Sequence, residues 1–305
     1  MGKQPLLHIG YHKTATTWMQ QLLFVPAHGY RQIAGHAEVF DHIVAPHGLL
    51  FDPAVMRGHL TRALQELEAA EVPVMSSEIL SGHPFFGGVD SDVYARRLAA
   101  IVPEARILIS IRSQLKILPS VYMQYILRGG TMTPAQFFSG DAELGYFAFR
   151  PEDFEYDRLV GLYRSLFGAE NVHVMTQESL KADMGAAATK LAQFCGNDAF
   201  AGLNEAARRV HAASYPEHAV PILRRINHVH TSVLNRNPIM SLGTTPKGLY
   251  RAFGGVLKRP PFATMLRGYR PVTACVKARF SGYFSASNAR LAEMLGADVD
   301  LSDYT

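Results

Sequence analysis

The chain has 305 residues, of which 48% are hydrophobic and 18% are charged, an ordinary globular composition that can bury a sizeable core. The formal net charge of +4 suits an anionic ligand but falls short of the dense basic stripe of nucleic-acid binders, so no nucleic-acid partner is expected. No apolar run approaches the roughly 20 residues that a membrane span needs, so no transmembrane segment is expected.

The first predicted element is a short strand over residues 6–9, which ends at Gly10 and is followed by a helix with apolar residues at Trp18, Leu22 and Leu23. The turn between them carries one lysine and three threonines: Lys13, Thr14, Thr16 and Thr17. The first turn of a helix has unpaired N–H groups and the positive end of the helix dipole. The turn is therefore predicted to bind a phosphate or a sulfate.

The next segments predict a short strand over residues 30–34, a polar loop over 35–42 and a helix over 53–70. A further strand over residues 72–76 runs into Ser77 and Glu78. Because α/β proteins bind ligands at the carboxyl ends of parallel strands, Glu78 is a functional candidate. A structural role at the start of the next segment is its alternative.

The clearest buried strand covers residues 106–111 and ends in Arg112. In a P-loop nucleotide triphosphatase the corresponding strand ends in an aspartate that helps to hold magnesium. A guanidinium can bind an anion directly, and Ser120, eight residues further on in the next predicted helix, can supply a hydroxyl to the same anion.

Beyond this helix, the pattern predicts an amphipathic helix within residues 153–168, then a short strand with a polar exit within residues 171–180, and a structural hydrogen-bonding role for Glu178. Stretches 237–255 and 258–271 are rich in proline and glycine and are predicted to be long loops. The alternation of strands and helices predicts an α/β fold with a central, mostly parallel sheet flanked by helices. We expect one domain over residues 1–305, whose loop-rich part, about 205–280, shapes the site of the substrate that accepts the transferred group.

Two motifs resemble sulfotransferases that use 3′-phosphoadenosine 5′-phosphosulfate (PAPS). Residues 13–18 resemble the K-[ST]-G-T-T-[WFL] loop that binds the 5′-phosphosulfate, with Ala15 where the family most often has glycine. Arg112 and Ser120 keep the spacing of the family's 3′-phosphate motif, although Ser113-Gln114 replaces the usual Asp-Pro. The region after Ser120 and the segment from Tyr283 are similar to a bacterial branch of the family.

The resemblance implies a P-loop-NTPase-like sulfotransferase architecture, with PAPS as co-substrate and adenosine 3′,5′-bisphosphate (PAP) as product. It implies sulfuryl transfer to a hydroxyl or amine of a small-molecule, saccharide or lipid acceptor. Lys13 would neutralise the leaving oxygen. The implied nucleotide-binding set is Lys13, Thr14, Ala15, Thr16, Thr17, Trp18, Arg112 and Ser120. Trp18 would stack on adenine, with a place in the core as the alternative.

The acceptor also needs a general base, for which Glu78 is the first candidate. The alternatives are Glu38, His36 and His42, which lie 23 to 29 residues after Lys13, where part of the family has its glutamate, and His83. The thirteen histidines show no zinc-type spacing, so no metal is expected.

Two functional alternatives stay open at this point. One is a P-loop-type kinase or nucleotide-binding protein, and the other is a catalytically inactive PAP-binding module. Cys195 and Cys275 form no disulfide framework, and no export signal is visible, so a cytoplasmic location is expected.

Overall fold

The computed structural model describes residues 2–141, 143–209, 215–238 and 240–304. Its centre is a five-stranded sheet in the order β2-β3-β1-β4-β5, in which all neighbouring strands are parallel. The strands are β1 (Leu6–His8), β2 (Tyr30–Ala34), β3 (Val72–Ser76), β4 (Arg106–Ile111) and β5 (Val172–Thr176). The predicted α/β class with a parallel sheet is confirmed.

Helices connect the strands and cover both faces of the sheet. Up to β4 they are α1 (Thr16–Trp18), which continues as a π-helix (Met19–Leu23), α2 (His36–Val39), which continues as a π-helix (Phe40–Val44), α3 (Pro53–Gln65) and α4 (Ser91–Ile101). Next come α5 (Gln114–Leu127), α6 (Pro134–Ser139), α7 (Tyr156–Phe167), α8 (Gln177–Ala182) and α9 (Met184–Cys195). The last are α10 (Glu205–Arg208), α11 (Val220–Asn227), α12 (Gly248–Leu257), α13 (Phe262–Met265), α14 (Pro271–Phe280) and α15 (Ser285–Leu295). Within the described ranges, no helix is both long and apolar enough for a membrane span.

Successive residues of the strands enter two different hydrophobic cores. Leu7 and Ile107 pack in the larger core, whereas their neighbours Leu6 and Leu108 pack in the smaller one with Trp18. Side chains alternate between the two faces of a sheet, so both faces are buried, as parallel sheets require. This double burial explains why the strands are nearly continuous apolar runs.

Four predicted segments differ from the structure. Residues 35–42 are largely helical, because the Glu38 carboxylate accepts a hydrogen bond from the Gly35 amide and caps α2. The helix predicted over 53–70 ends at Gln65. Helix α12 begins within the predicted loop over 237–255, and α13 lies within the one over 258–271. In α12, Gly254 serves packing, since a Cβ there would lie 2.5 Å from a ring atom of Tyr215.

A buried histidine links the carboxyl ends of the three central strands. His8 Nδ1 hydrogen-bonds with Ser76 Oγ of β3 at 2.8 Å, and its Nε2 with Ser110 Oγ of β4 at 2.9 Å. Ser110 Oγ also lies 2.7 Å from Thr14 Oγ1, which donates to the Tyr11 carbonyl. The network therefore connects the sheet to the turn that follows β1. Burial lowers the pKa of His8 to about 3, so this ring is neutral at physiological pH.

The low pKa of His8 predicts acid sensitivity. Between pH 6.5 and about 3 the unfolded chain binds a proton at His8 that the folded chain does not. His8 therefore lowers the free energy of unfolding by about 1.4 kcal/mol per pH unit as the pH falls through this window. Chemical denaturation at several pH values should give a shallower pH dependence for His8→Gln than for the wild type.

Only the difference in pH dependence between the wild type and His8→Gln reports on His8, because other groups titrate in the same pH range. Burial raises the pKa of Asp153 to about 7, so this carboxyl makes the folded state more stable on acidification from pH 7 to its unfolded pKa. Parallel pH profiles for the wild type and His8→Gln would show that His8 is not held neutral.

Candidate active site

The candidate site lies where β1, β3 and β4 end side by side. Beyond β1, the amides of Ile9 and Tyr11 still donate to the carbonyls of Leu108 and Ser110, at 2.8 and 3.0 Å. On the other side of β1, the Ser77 amide donates to the His8 carbonyl at 3.2 Å. The segments after these three strands therefore leave from one edge of the sheet. They carry Lys13, Glu78 and Arg112, the three main residues expected from the sequence.

The turn after β1 holds two residues in the left-handed region. Lys13 has φ 70° and Ala15 has φ 69°, and among the described residues they are the non-glycine residues with positive φ. Such conformations cost about 1–3 kcal/mol each and persist where the surroundings impose them. The turn then enters the helix that starts at Thr16, so its backbone N–H groups lie beside Lys13.

The three threonines of this turn have different environments. Thr14 is buried, and its hydroxyl is used inside the protein, by Tyr11 and Ser110. Thr16 is also buried, and its hydroxyl has no hydrogen-bond partner among the described residues. Thr17 is exposed. Thr16 thus has a hydroxyl without a partner and Thr17 has an exposed one, whereas the Thr14 hydroxyl anchors the turn.

Trp18 lies in the smaller core. Its indole N–H donates to the Ala207 carbonyl at 2.8 Å, and only 8% of its surface is exposed. This is the environment of a core aromatic residue, which the sequence left as the alternative to adenine stacking. Little of the indole ring is exposed for stacking on adenine.

Arg112 and Ser120 are brought together as their spacing suggested. Arg112 Nη1 donates to Ser120 Oγ at 3.1 Å, while Arg112 Nε is buried without a partner among the described residues. Burial lowers the pKa of Arg112, and the nearby Glu178 carboxylate opposes this shift. Glu178 itself accepts hydrogen bonds from the Ser113 amide and the Tyr304 hydroxyl, which is the structural role expected for it.

A cavity of about 250 Å³ opens next to this pair. Its lining includes Ser120 and Met123 from α5 and Arg267, Tyr269 and Arg270 from the segment before α14. The last three were not among the residues expected from the sequence. Arg267 and Arg270 showed only basic charge in a region interpreted as loops, Tyr269 gave no signal, and the position of all three next to Ser120 depends on tertiary packing.

The Lys13 and Arg112 regions are also connected through α8. Gln177 Nε2 donates to the Lys13 carbonyl at 3.3 Å, and the next residue, Glu178, accepts from Ser113. Gln177 Oε1 is buried without a partner among the described residues. Unpaired buried polar atoms cost about 1–3 kcal/mol each. Gln177 Oε1, Thr16 Oγ1 and Arg112 Nε are three such atoms along this edge of the sheet.

The base candidates fall into two groups. Glu78 begins a 3₁₀-helix (Glu78–Ser81) after β3, and its negative charge raises the pKa of Lys13 against the lowering effect of burial. His36 is close to it, because its Nδ1 lies 2.8 Å from the Oγ of Ser77. Glu38 instead caps α2.

His42 and His83 make ring contacts of different kinds. His42 stacks on His59 of α3, with the ring centroids 4.3 Å apart. His83 lies on the Lys13 side, since its ring centroid is 6.1 Å from that of His12. The structure thus brings Glu78, His36 and His83 to the Lys13 side of the sheet edge.

Two further cationic or basic groups belong to this region, His12 and Arg128. Burial, followed by the charge of His83, lowers the pKa of His12 to about 3. Arg128, exposed at the end of α5, lowers the pKa of Lys13, His12 and His83 through its positive charge. In the part of the chain that the structure describes, no cluster of three potential ligands could hold a metal ion.

Comparison with solved structures identifies the fold. The chain is similar to a sulfotransferase from Alicyclobacillus acidocaldarius, with a TM-score of 0.51 and 15% identity over 98% of both chains. The chain has a sulfotransferase fold. A mouse sulfotransferase solved in complex with PAP is also similar, with a TM-score of 0.39 and 12% identity over 94% of this chain and 88% of that one. Comparisons with protein-family models and with curated proteins found no match.

Within this sulfotransferase fold, Ala15 allows a direct test of strain in the turn. The left-handed conformation costs an alanine about 1–2 kcal/mol, of which the greater flexibility of an unfolded glycine offsets about half. Ala15→Gly should therefore raise the free energy of unfolding by about 0.5–1 kcal/mol, measured by urea denaturation.

Ala45 is the matched control, because it is exposed and has a right-handed conformation, with φ −70° and ψ −29°. Ala45→Gly should lower the free energy of unfolding by a similar amount. An equal loss of stability in both variants would show that the turn is not strained at Ala15.

Proposed function

We propose that this protein is a PAPS-dependent sulfotransferase that transfers a sulfuryl group to a hydroxyl or amine. The observation that carries the proposal is the placement of two anion sites at the ends of adjacent parallel strands. Lys13 and the helix start follow β1, and the Arg112–Ser120 pair follows β4. One nucleotide with anionic groups at its 5′ and 3′ positions suits this pair of sites better than a ligand with a single anionic group.

The residues present fit such a nucleotide. Lys13, the backbone of Ala15 and the hydroxyls of Thr16 and Thr17 would hold the 5′ group, while Arg112 and Ser120 would hold the 3′-phosphate. Thr14 would contribute by fixing the turn, and Trp18 through its small exposed surface. The unpaired Thr16 Oγ1 and Arg112 Nε support this assignment, because an anionic ligand would give both donors a partner.

PAPS would supply an activated sulfuryl group, and the protein supplies positioning and charge. Lys13 and the first amides of the helix provide a fixed positive potential where negative charge develops on the leaving oxygen. Glu78 would accept the proton of the acceptor, with His36 and His83 as the remaining candidates on the same side. Because burial lowers its pKa, His83 is neutral at physiological pH and able to accept a proton.

A kinase is the less favoured alternative. Phosphoryl transfer uses a magnesium ion held by an acidic residue at the end of a buried strand. Here the residue after strand β4 is Arg112, whose charge would repel the metal. A catalytically inactive PAP-binding module has the same binding residues and differs only in turnover.

We further propose that residues 1–305 act as one domain. The part from about 205 to 280 would border both substrates, and the cavity that Arg267 and Arg270 share with Ser120 supports this assignment. The acceptor would be a small molecule, a saccharide or a lipid. The cytoplasmic location stays a prediction.

Ligand-induced stabilisation tests the nucleotide site. PAP should raise the thermal midpoint, and AMP, which lacks the 3′-phosphate, should raise it less. Arg112→Gln should weaken PAP binding by about ten- to a hundredfold, the value of a charge-assisted hydrogen bond, and leave AMP binding nearly unchanged. Stabilisation by ATP with magnesium, without any by PAP, would exclude the proposal.

Turnover of labelled PAPS with a panel of acceptors tests the catalytic assignments. Glu78→Gln should lower kcat by about 10²–10⁴ at neutral pH and leave PAP binding intact. Lys13→Met should lower kcat by about 10²–10³ at every pH, because it removes charge stabilisation. Glu38→Gln is the matched control and should keep its kcat. Full activity in Glu78→Gln would assign the general base to His36 or His83. PAP binding without turnover in the wild type would indicate the catalytically inactive module.

A further inference from the structure

The C-terminal third carries a one-sided distribution of charge. Between His218 and Ala292 the sequence contains twelve lysines and arginines and not one aspartate or glutamate, so all 26 acidic residues lie outside this segment. The chain as a whole has a net charge of only +4. The segment is therefore a strongly basic part of a nearly balanced protein, and its charge needs a separate explanation.

The middle of this segment also exposes apolar side chains. In α12, Leu249, Phe253 and Val256 follow one another at helical spacing and are all exposed. In α13, Phe262 is exposed and Met265 exposes 78% of its surface. A contiguous exposed apolar surface bordered by polar residues is typical of an interaction site. We name the exposed residues of α12 and α13 the α12–α13 surface.

A cavity of about 500 Å³ opens on the same helix. Three cations line it, Arg251, Lys258 and Arg259, together with Val256, one of the exposed apolar residues of α12. Across the described residues, none of these three cations forms an ion pair. The cavity therefore combines unpaired positive charge with apolar side chains at its rim. Phosphate groups attached to hydrocarbon chains have the matching chemistry.

We propose that the α12–α13 surface binds an anionic phospholipid bilayer. Lipid phosphates contact Arg251, Lys258 and Arg259, while Phe253 and Val256 enter the boundary between headgroups and acyl chains. The exposed apolar residues of α12 favour a bilayer over a dissolved polyanion, because a dissolved polyanion would contact the cations alone. Binding is peripheral and reversible, because the helix is amphipathic and short. The inference does not depend on sulfuryl transfer.

Sedimentation of the full chain with vesicles tests the proposal. The protein should bind vesicles that mix phosphatidylcholine with phosphatidylglycerol more tightly than vesicles of phosphatidylcholine alone, and added salt should weaken this binding. Each basic residue at an anionic surface is worth about fivefold in affinity. The triple variant Arg251→Gln, Lys258→Gln, Arg259→Gln should therefore lose about a hundredfold. The double variant Phe253→Ser, Val256→Ser should lose about tenfold or more.

The control variants lie on a different part of the surface. Arg62→Gln with Arg96→Gln removes two exposed cations, and Leu49→Ser removes an exposed leucine, and these variants should bind vesicles like the wild type. Thermal midpoints and PAP-induced stabilisation should be unchanged in all variants, which separates loss of vesicle binding from unfolding and from the nucleotide site.

Three results would overturn the proposal. The first is equal binding to both kinds of vesicle, or binding that the triple variant keeps. The second is binding to heparin through Arg251, Lys258 and Arg259 without any vesicle binding, which would assign the surface to a dissolved polyanion. The third is a dimer that the Phe253→Ser, Val256→Ser variant converts to monomers, which would assign the surface to a second copy of the chain.

Discussion

The parallel pairing of β1 with β3 on one side and with β4 on the other is the constraint on which the candidate site depends. It places the segments after three separate strands at one edge of the sheet, although Lys13 and Arg112 are about a third of the chain apart. His8 reinforces this register, because its two ring nitrogens contact Ser76 and Ser110 at the same time. A shift of one residue between strands would turn these side chains to the opposite face.

Lys13 and Arg112 each have a carboxylate close enough to affect them. Burial lowers the pKa of both Lys13 and Arg112, and Glu78 opposes the shift of the first while Glu178 opposes that of the second. The two carboxylates differ in their other contacts. Glu178 is tied to Ser113 and Tyr304, whereas no hydrogen bond of the described residues involves the Glu78 carboxylate. This difference suits a structural role for Glu178 and a chemical role for Glu78.

The basic C-terminal segment contributes to two different surfaces. Arg267 and Arg270 line the cavity next to Ser120, while Arg251 and Lys258 line the cavity on α12. The two cavities share Tyr215 as a lining residue, so they are neighbours. A bilayer on the α12–α13 surface would therefore lie near the proposed nucleotide site. An acceptor that resides in a membrane would be consistent with both proposals.

The sequence by itself determined the α/β class, the strands that flank the site, the strand-turn-helix of Lys13 and the Arg112–Ser120 pair. These features depend on local apolar periodicity and on short spacings along the chain, which a sequence expresses directly. Tertiary structure decided the rest, including the burial of Trp18, the inward hydroxyl of Thr14 and the positions of His36 and Arg270. These positions depend on contacts between residues far apart in the chain, and no local pattern encodes which side chains such packing brings together.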